Sequence, residues 1–402
     1  MRSLKNWEAA FFYRVPPFPP FPPRGLSDAE NVLNMIPLSR PLLAILTVAF
    51  LHPTTVAGVT RPDDSAPPFE AILKIDAHSH LFEDHPDFQA LFRRINLRTV
   101  NVCVSGTNGH LDRMNEIAAD LYAKYPTFYP FETTFDLLKR DDPDYAQNVI
   151  ASLGKNFARG AVGVKIWKEV GLVIQRPDGT FALPDDPQWD PIYAYIAKQG
   201  KVLHAHLAEP LEAWLPLDPD SPHHAYFKRR KEYYFYNKPA YPSHAAIIAA
   251  RDRIMEKHPT LVVVGAHLGS LEHDLEAMAQ RLDRYPHFYI EVSARTKNLA
   301  RHPSDKVRAF MTKYQDRILY GLDASWMPYL GNRPPTDKER SAHLNLIELR
   351  YRADYDYYAG QGELTYDGRK VEALNLPRPV LEKFYHENAE RVFKLKAAWQ
   401  GR

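Results

Sequence analysis

From residue 71 onward, short apolar runs alternate with stretches that have a helical period. Runs of four to eight apolar residues between such stretches predict buried strands. There are eight strand-then-helix units, and strict alternation of this kind gives a parallel sheet covered by helices. Eight units favour a closed (β/α)8 barrel. A doubly wound open sheet is the alternative, because strand order cannot be read from the sequence.

We expect strands near 72–76, 99–104, 127–132, 161–166, 201–206, 261–265, 287–292 and 317–322, and helices near 86–94, 109–124, 143–157, 188–199, 242–258, 270–284, 303–314, 337–352 and 378–395. Two connections, 168–187 and 207–241, are longer than a barrel requires, and such connections often form lids. Pro177-Asp178-Gly179 in the first is typical of a hairpin turn. The stretch 226–241 in the second is rich in Tyr and Phe, which predicts either an aromatic lid or packing against outer helices.

The charge balance limits the classes of partner that the chain is expected to bind. The chain has 51 Lys and Arg against 49 Asp and Glu, a net charge of +2. This balance gives no global field for nucleic acid or an anionic membrane, so we expect a small-molecule partner. The single cysteine, Cys103, excludes an intrachain disulfide. Whether the chain forms a homo-oligomer stays open.

Residues 1–70 are interpreted as a leader, and 71–402 as the barrel domain. Pro16 to Pro23 has no helical or strand period and predicts a disordered segment. From Met35 the sequence resembles a secretory signal peptide, with an apolar run at 42–51 and small residues before Gly58. That run is too short for a stable membrane span. If translation starts at Met35, residues 35–57 are the signal peptide and the protein is exported, either periplasmic or secreted; otherwise it is cytoplasmic.

Candidate metal ligands lie where predicted strands end. His78-Ser79-His80 ends the first strand region, and residues two apart in a strand point to the same side. His206, His267 and Asp323 end the fifth, sixth and eighth. Because barrel enzymes build their sites at the carboxyl ends of strands, these residues predict one shared metal site. Imidazole and carboxylate ligands without thiolates are typical of a catalytic site for zinc, manganese or iron.

Such a site predicts a definite chemistry. A bound divalent ion lowers the pKa of its water to about 7 and polarises a substrate oxygen. Asp323 would take the proton from that water, and His267 would stabilise or protonate the developing oxyanion. We therefore interpret Asp323 and His267 as the catalytic residues.

Five segments resemble the amidohydrolase superfamily: 75–80 (IDAHSH), 162–165 (VGVK), 204–210 (HAHLAEP), 265–269 (GAHLG) and 320–323 (YGLD). Within it, they are most similar to the amidohydrolase-related branch that also contains aminocarboxymuconate-semialdehyde decarboxylase. The resemblance extends over residues 71 to 395. It implies a metal-dependent barrel enzyme, and it is more specific for the superfamily than for the reaction.

The resemblance also implies roles for single residues. It makes His78, His80, His206 and Asp323 the metal ligands, and His267 the residue that polarises the substrate or moves a proton. Binuclear members bridge two metals with a carbamylated lysine on strand 4, where Lys165 stands. The cofactor implied is one divalent ion, zinc first with manganese or iron as alternatives, or two ions if Lys165 is carbamylated.

One departure from the pattern concerns the fifth strand. His204 makes a second His-x-His with His206. Alternation puts His204 on the same face, one pleat deeper, which favours a core role over direct ligation.

Residues beyond the strand ends are candidates for substrate binding. They are Trp167 after strand 4, Glu209 and Trp214 after strand 5, and Arg295 after strand 7. Arg295 would hold a carboxylate in a bidentate fork, or form a salt bridge on the barrel rim.

Three functions remain open from the sequence. Hydrolysis of a small amide, lactone or cyclic ester comes first, because metal-activated water is the default chemistry of such a site. Non-oxidative decarboxylation of an unsaturated or aromatic carboxylate is the alternative. A non-catalytic exported binding barrel is the third, since a fold alone does not establish a function.

Overall fold

The computed structural model describes residues 66–104, 110–137, 139–331 and 333–395. The proline-rich segment 16–23 and the signal peptide expected at 35–57 lie outside the described residues. The described chain already packs against the domain before residue 71, because the Phe69 ring contacts the Tyr355 ring with centroids 5.4 Å apart.

The core of the described residues is one sheet of nine parallel strands in the order β8-β7-β6-β5-β4-β3-β2-β1-β9. These strands are β1 (Lys74–Leu81), β2 (Leu97–Val102), β3 (Phe131–Thr133), β4 (Gly163–Ile166), β5 (Val202–Ala205), β6 (Val262–Gly265), β7 (Phe288–Glu291), β8 (Ile318–Leu319) and β9 (Ala324–Trp326). Chain neighbours are also sheet neighbours from β1 to β8, which is the strand order of a (β/α)8 barrel.

The sheet closes on itself through the last two strands. β8 pairs with β7, whereas β9 pairs with β1 in parallel. Between them, Tyr320 O accepts from Ala77 N and Asp323 N donates to His78 O, both at 2.9 Å. The open-sheet alternative is therefore wrong, and the fold is a (β/α)8 barrel.

Two strands differ from their expected bounds. The single strand expected at 317–322 is split into β8 and β9, because Asp323 has a φ of +61°, which a continuous strand does not allow. β1 extends to Leu81 instead of ending at residue 76, because its last residues pair with β9. His78 and His80 therefore lie within β1 rather than beyond its end.

The helices cover the outside of the barrel close to the expected positions. They are Pro86–Arg94, Leu111–Lys124, Tyr145–Ala158, Asp190–Lys198, His244–Lys257, Leu275–Arg284 and Ser304–Lys313. The helix Asp337–Ala359 continues past the expected residue 352, and Thr336 with Glu339 forms a capping box at its start. The expected helix 378–395 is instead Arg378–Glu382, a π-helical turn Lys383–Glu387 and Asn388–Val392.

An antiparallel hairpin was not expected from the sequence. It consists of β10 (Glu363–Tyr366) and β11 (Arg369–Glu372) and forms its own small sheet. Its turn contains Asp367 and Gly368, both with positive φ, which a two-residue hairpin turn requires.

The two long connections fold back onto the barrel. The turn expected at Pro177-Asp178-Gly179 is confirmed: Gly179 has a φ of +83°, and Arg176 N donates to Thr180 O at 2.7 Å. The connection 207–241 contains the short helix His224–Arg229, and its Phe227 side chain is buried. Among the described helices, none combines the length and the apolar character that a bilayer crossing requires.

The buried carboxylate of Asp76 connects three parts of the barrel. It accepts hydrogen bonds from His78 N at 2.9 Å, Leu322 N at 3.1 Å and the Tyr351 hydroxyl at 2.5 Å. Burial raises the pKa of Asp76 to about 7, and the Tyr351 hydrogen bond acts against that rise. Tyr351 therefore ties the long helix to the strand that carries His78.

Replacing Tyr351 by phenylalanine removes one donor from this carboxylate and leaves it underpaired. We expect the free energy of unfolding to fall by about 1.5–3 kcal/mol, the range for a hydrogen bond to a charged group. Urea unfolding followed by circular dichroism measures it. The matched control is Tyr289→Phe, on a half-buried tyrosine of β7 outside this network, which should change stability by less than about 0.5 kcal/mol. Equal effects of the two substitutions would contradict the assignment.

Candidate metal centre

The carboxyl ends of the strands surround a cavity of about 340 Å³. The residues expected in one site line it together: His78 and His80 from β1, Lys165 from β4, His206 after β5, His267 after β6 and Asp323 between β8 and β9. These side chains are thus brought to one place from five points of the chain, as the barrel interpretation requires.

The two histidines of β1 are held in the same way. His78 Nδ1 lies 2.9 Å from Glu291 Oε1, and His80 Nδ1 lies 2.7 Å from the carbonyl oxygen of Val102. Both partners are acceptors, so each imidazole carries its proton on Nδ1 and presents the Nε2 lone pair. Nε2 of His80 lies 3.4 Å from Asp323 Oδ1, and Nε2 of His78 lies 3.9 Å from the same oxygen.

The third imidazole, His206, is oriented by a relay of hydrogen bonds. The carbonyl oxygen of Ser293 lies 2.8 Å from His267 Nδ1, which places the His267 proton on that nitrogen. His267 Nε2 then accepts from His206 Nδ1 at 3.2 Å. His206 Nε2 is buried and has no hydrogen-bond partner among the described residues. A buried nitrogen lone pair without a donor is the arrangement that a metal ligand needs.

Burial keeps His206 and His267 neutral. It lowers the pKa of His206 well below the usual range, with a further lowering by His267. Burial does the same for His267, assisted by the charge of Arg295. Neutral imidazole is the form that coordinates a metal.

His204 is placed differently from His206. Its Nδ1 lies 2.8 Å from Glu132 Oε2 and its Nε2 lies 3.5 Å from Glu291 Oε1. Both ring nitrogens therefore face carboxylates. Although burial acts in the opposite direction, the charge of Glu132 and the hydrogen bonds to both carboxylates raise the pKa of His204. A histidine that donates from both nitrogens has no lone pair for a metal.

Lys165 lies in contact with the candidate ligands. Its Nζ is 3.1 Å from His78 Nε2. Burial lowers its pKa to about 8, while the charges of Glu132 and Glu291 act in the opposite direction. An amino group thus faces the lone pair of His78, which is a position suited to a cation. Three imidazoles and one carboxylate fit a divalent ion of the zinc or manganese class.

The backbone around the site is strained at two of its functional residues. His267 has a φ of +56° and Asp323 a φ of +61°, which non-glycine residues rarely adopt. His267 N donates to Glu291 Oε1 at 2.9 Å, and Asp323 N donates to His78 O. These bonds hold both residues in place, and backbone strain of this kind is common at functional sites.

Asp323 combines ionisation with access to the cavity. Its side chain is 29% exposed, in contrast to the buried His78. Burial acts to raise its pKa, but contact with the neighbouring His80 and the charge of Lys165 hold the pKa below its usual value. Asp323 is therefore a carboxylate that a substrate can reach.

Three of the four residues expected to bind substrate, Trp167, Glu209 and Arg295, line the cavity. Arg295 Nη1 donates to Ala294 O at 3.1 Å, while its Nε has no hydrogen-bond partner among the described residues. Glu209 accepts from Lys168 and from the Tyr226 hydroxyl, so its carboxylate is already paired. The Trp167 ring stands edge-on to Tyr233, with centroids 6.4 Å apart.

The expectation that Trp214 faces the substrate is wrong. Its indole Nε1 donates to Pro242 O at 3.0 Å, and its ring packs against Phe235 and His244. The short turn Leu211–Trp214 directs this side chain into the packing of the long connection, away from the cavity.

Several lining and supporting residues were missed by sequence reasoning. Glu132 and Glu291 end or nearly end β3 and β7, and an acidic residue at the end of an apolar run was a signal that could have identified them. Other lining residues were not expected there: Lys168, Arg230 and Lys297 from the connections, Arg350 from the helix Asp337–Ala359, and the hairpin residues Thr365, Tyr366 and Asp367. Tyr226 and Tyr233 belong to the aromatic stretch 226–241, for which a lid was one of the two expectations, and both line the cavity.

The two histidines of the fifth strand region provide a matched test of the ligand set. His206→Asn should lower the affinity for zinc or manganese by more than about 100-fold, because it removes a buried lone pair that has no donor among the described residues. His204→Asn should lower it by about tenfold, the lower end of the range for a residue that supports the ligands. Metal bound after equilibrium dialysis of each full-length variant, counted by inductively coupled plasma mass spectrometry, measures both. The reverse order of effects would make His204 the ligand.

Comparison with solved structures finds similar chains at low sequence identity. An uncharacterised TIM-barrel protein from Bordetella bronchiseptica is 15% identical over 81% of this chain and 100% of that one, with a TM-score of 0.46. A 2,6-dihydroxybenzoate decarboxylase from Rhizobium is 15% identical over 81% and 99%, with a TM-score of 0.47. A dihydroxybenzoic acid decarboxylase from Polaromonas with bound manganese is 15% identical over 81% and 98%, with a TM-score of 0.45.

No curated protein matches the chain significantly. A family model described as amidohydrolase does match, over residues 75–395. This span begins at the second residue of β1 and contains the other eight strands of the barrel and all of the candidate ligands. The chain belongs to the amidohydrolase family.

Proposed function

We propose that this protein is a metal-dependent decarboxylase of a small aromatic or unsaturated carboxylate, with His78, His80, His206 and Asp323 as the metal ligands. The observation that carries the proposal is the positive lining of the cavity beside those ligands. The lining contains six basic side chains, from Lys165, Lys168, Arg230, Arg295, Lys297 and Arg350, against the acids Glu209, Asp323, Asp354 and Asp367.

The basic lining bears on the choice between the two reactions. A decarboxylase must bind a carboxylate on every substrate, whereas a hydrolase of amides or lactones has no such requirement. Lys168 is paired with Glu209, whereas Arg295 Nε lies 3.8 Å from Glu272 Oε1, in an ion pair without a hydrogen bond. Arg295 also lines the cavity, so its guanidinium is suited to a charge-assisted hydrogen bond with a substrate carboxylate.

The shape and the walls of the cavity suit a flat, small substrate. Its volume of about 340 Å³ is at the small end of the range for ligand pockets. The rings of Trp167, Tyr226, Tyr233 and Tyr366 line it. Aromatic walls bury a planar ring through stacked and edge-on contacts, so they favour an aromatic carboxylate.

The residues divide the work of the reaction as follows. A divalent ion bound by the ligand set would supply a Lewis acid that polarises a substrate oxygen. Arg295 would hold the carboxylate, and the lid residues Tyr226 and Tyr233 would exclude water. The bond between the carboxylate and the ring carbon breaks, carbon dioxide leaves, and the electron pair stays on carbon. Asp323 would pass a proton, taken up from solvent, to that carbon.

His267 has a supporting part in this scheme. Both of its ring nitrogens are engaged, with Ser293 O and with His206 Nδ1. It would therefore fix the tautomer of His206 rather than donate directly to the substrate. Lys165 would act as a polar neighbour of His78 in a mononuclear site, or as the carbamylated bridge in a binuclear one.

Hydrolysis of a small amide, lactone or cyclic ester is the second candidate. The ionised state of Asp323 favours it, because a carboxylate next to a metal is a ready base for an attacking water. A carboxylate elsewhere on such a substrate would use the same basic lining.

Product analysis of the full-length, metal-loaded protein distinguishes the two reactions. We expect carboxyl-labelled hydroxybenzoates and unsaturated carboxylates to release labelled carbon dioxide, and Asp323→Asn to reduce that rate by about 10²–10⁴-fold. Mass spectrometry of the products formed in ¹⁸O-water detects hydrolysis, because hydrolysis incorporates the label into the product. Label incorporation into lactones or amides without carbon dioxide would replace decarboxylation by hydrolysis. If neither product forms, the non-catalytic binding barrel becomes the favoured interpretation.

Arg295 provides a test of carboxylate binding. Arg295→Met should raise KM by about 10- to 100-fold, corresponding to one lost charge-assisted hydrogen bond, and should change kcat less. Arg284→Met makes the same chemical change at an exposed surface arginine paired with Glu256 and should leave KM unchanged. An unchanged KM in Arg295→Met would assign Arg295 to the barrel rim instead.

A further inference from the structure

A second group of metal-ligating side chains lies apart from the candidate metal centre. Glu212, His223 and Glu272 each offer a ligand atom, and these atoms lie within 4.8 Å of one another. Glu212 and His223 belong to the long connection 207–241, whereas Glu272 follows β6 on the barrel. His223 is 3% exposed and Glu272 is 0% exposed.

This cluster contains buried acceptors without donors. Both carboxylate oxygens of Glu272 and Oε2 of Glu212 have no hydrogen-bond partner among the described residues, and neither has Oδ1 of Asn298. Asn298 belongs to the cluster because its Nδ2 lies 3.1 Å from His223 Nε2. Arg295 Nε lies 3.8 Å from Glu272 Oε1, which is beyond hydrogen-bonding distance. A buried carboxylate without donors is strongly unfavourable, so these atoms need a partner.

The nature of the missing partner follows from the count of acceptors. A water molecule donates two hydrogen bonds, which is too few for three carboxylate oxygens and an amide oxygen. A cation between the two carboxylates satisfies oxygens of both and also relieves the repulsion between Glu212 and Glu272. We propose that Glu212, His223 and Glu272 form a second divalent metal site, for an ion of the manganese or zinc class.

The ligand chemistry favours that class. Two carboxylates and one imidazole suit manganese and zinc, whereas calcium and magnesium prefer oxygen ligands alone. Burial, and the charges of Lys297 and Arg295, hold the pKa of His223 well below its usual range, so its imidazole is neutral and able to coordinate. Burial also raises the pKa of Glu272 to about 7, as expected for a carboxylate short of donors.

The position of the site indicates what the ion does. It joins the connection 207–241 to the segment after β6, at the edge of the cavity that His223 and Arg295 line. The same connection carries Glu209, Tyr226 and Tyr233 into the cavity wall. A metal here would fix the aromatic lid against the barrel, so its role is structural and separate from the reaction.

Manganese binding to the full-length protein tests the site. After chelator treatment and reloading with Mn²⁺, we expect two bound ions per wild-type chain and one in Glu272→Gln, with an affinity loss at the second site of more than about 100-fold. Glu276→Gln is the matched control, an exposed glutamate in the first turn of the helix Leu275–Arg284, and should bind as the wild type does. Bound manganese is counted by mass spectrometry and followed by electron paramagnetic resonance.

A variant that lacks a ligand of the candidate metal centre separates binding at the second site from binding at the first. His206→Asn should retain one ion, and Mn²⁺ should raise its melting temperature; adding Glu272→Gln should abolish both effects. His223→Asn replaces Glu272→Gln if the latter does not fold. Loss of all manganese in His206→Asn, or an undiminished manganese count in the Glu272 or His223 variant, would overturn the second site. A wild-type chain that binds one ion, lost in Glu272→Gln and kept in His206→Asn, would support this site and refute the first.

Discussion

The carboxylate of Glu291 is the interaction on which the site depends. It is fully buried and accepts from His78 Nδ1, from His267 N, and from the backbone and hydroxyl groups of Ser293. Burial opposes its charge, but hydrogen bonds from His204 and His78 keep the pKa of Glu291 well below the usual range. Its fixed negative charge places the His78 proton on Nδ1, and it also holds the strained backbone at His267. The His78 lone pair that would bind a metal therefore results from a residue that is not itself among the proposed ligands.

The interactions that close the barrel also position the residues of the site. The eighth strand breaks at Asp323, and the break lets β9 pair with β1 while Asp323 N bonds to His78 O. A continuous strand would have carried the Asp323 side chain along the barrel wall. The left-handed residue instead brings its carboxylate within 3.4 Å of His80 Nε2. Hydrogen bonds between the β8–β9 segment and β1 offset the backbone strain at this residue.

Much of this arrangement was predictable from local patterns. The βα alternation gave the barrel, and histidines or aspartate at strand ends identified the side chains that meet in the cavity. The break in the eighth strand was not predictable, because it depends on pairing with β1, far away in the chain. The hairpin β10–β11 and the basic residues Lys168 and Arg230 were missed because their connections have no period. Arg350 was missed because its place on an expected helix does not show that it faces the cavity. Glu132 and Glu291 were missed for another reason: an acid that ends an apolar run resembles an ordinary strand boundary until its histidine partners are known.

The central claim is that His78, His80, His206 and Asp323 together bind one divalent ion through lone pairs that their buried partners orient. Anomalous X-ray diffraction from crystals of the full-length protein loaded with zinc or manganese tests it most directly. The account predicts an anomalous peak in the cavity at about 2.1 Å from Nε2 of all three histidines and from a carboxylate oxygen of Asp323. A peak ligated by His204 in place of His206, or no peak in this cavity, would contradict it.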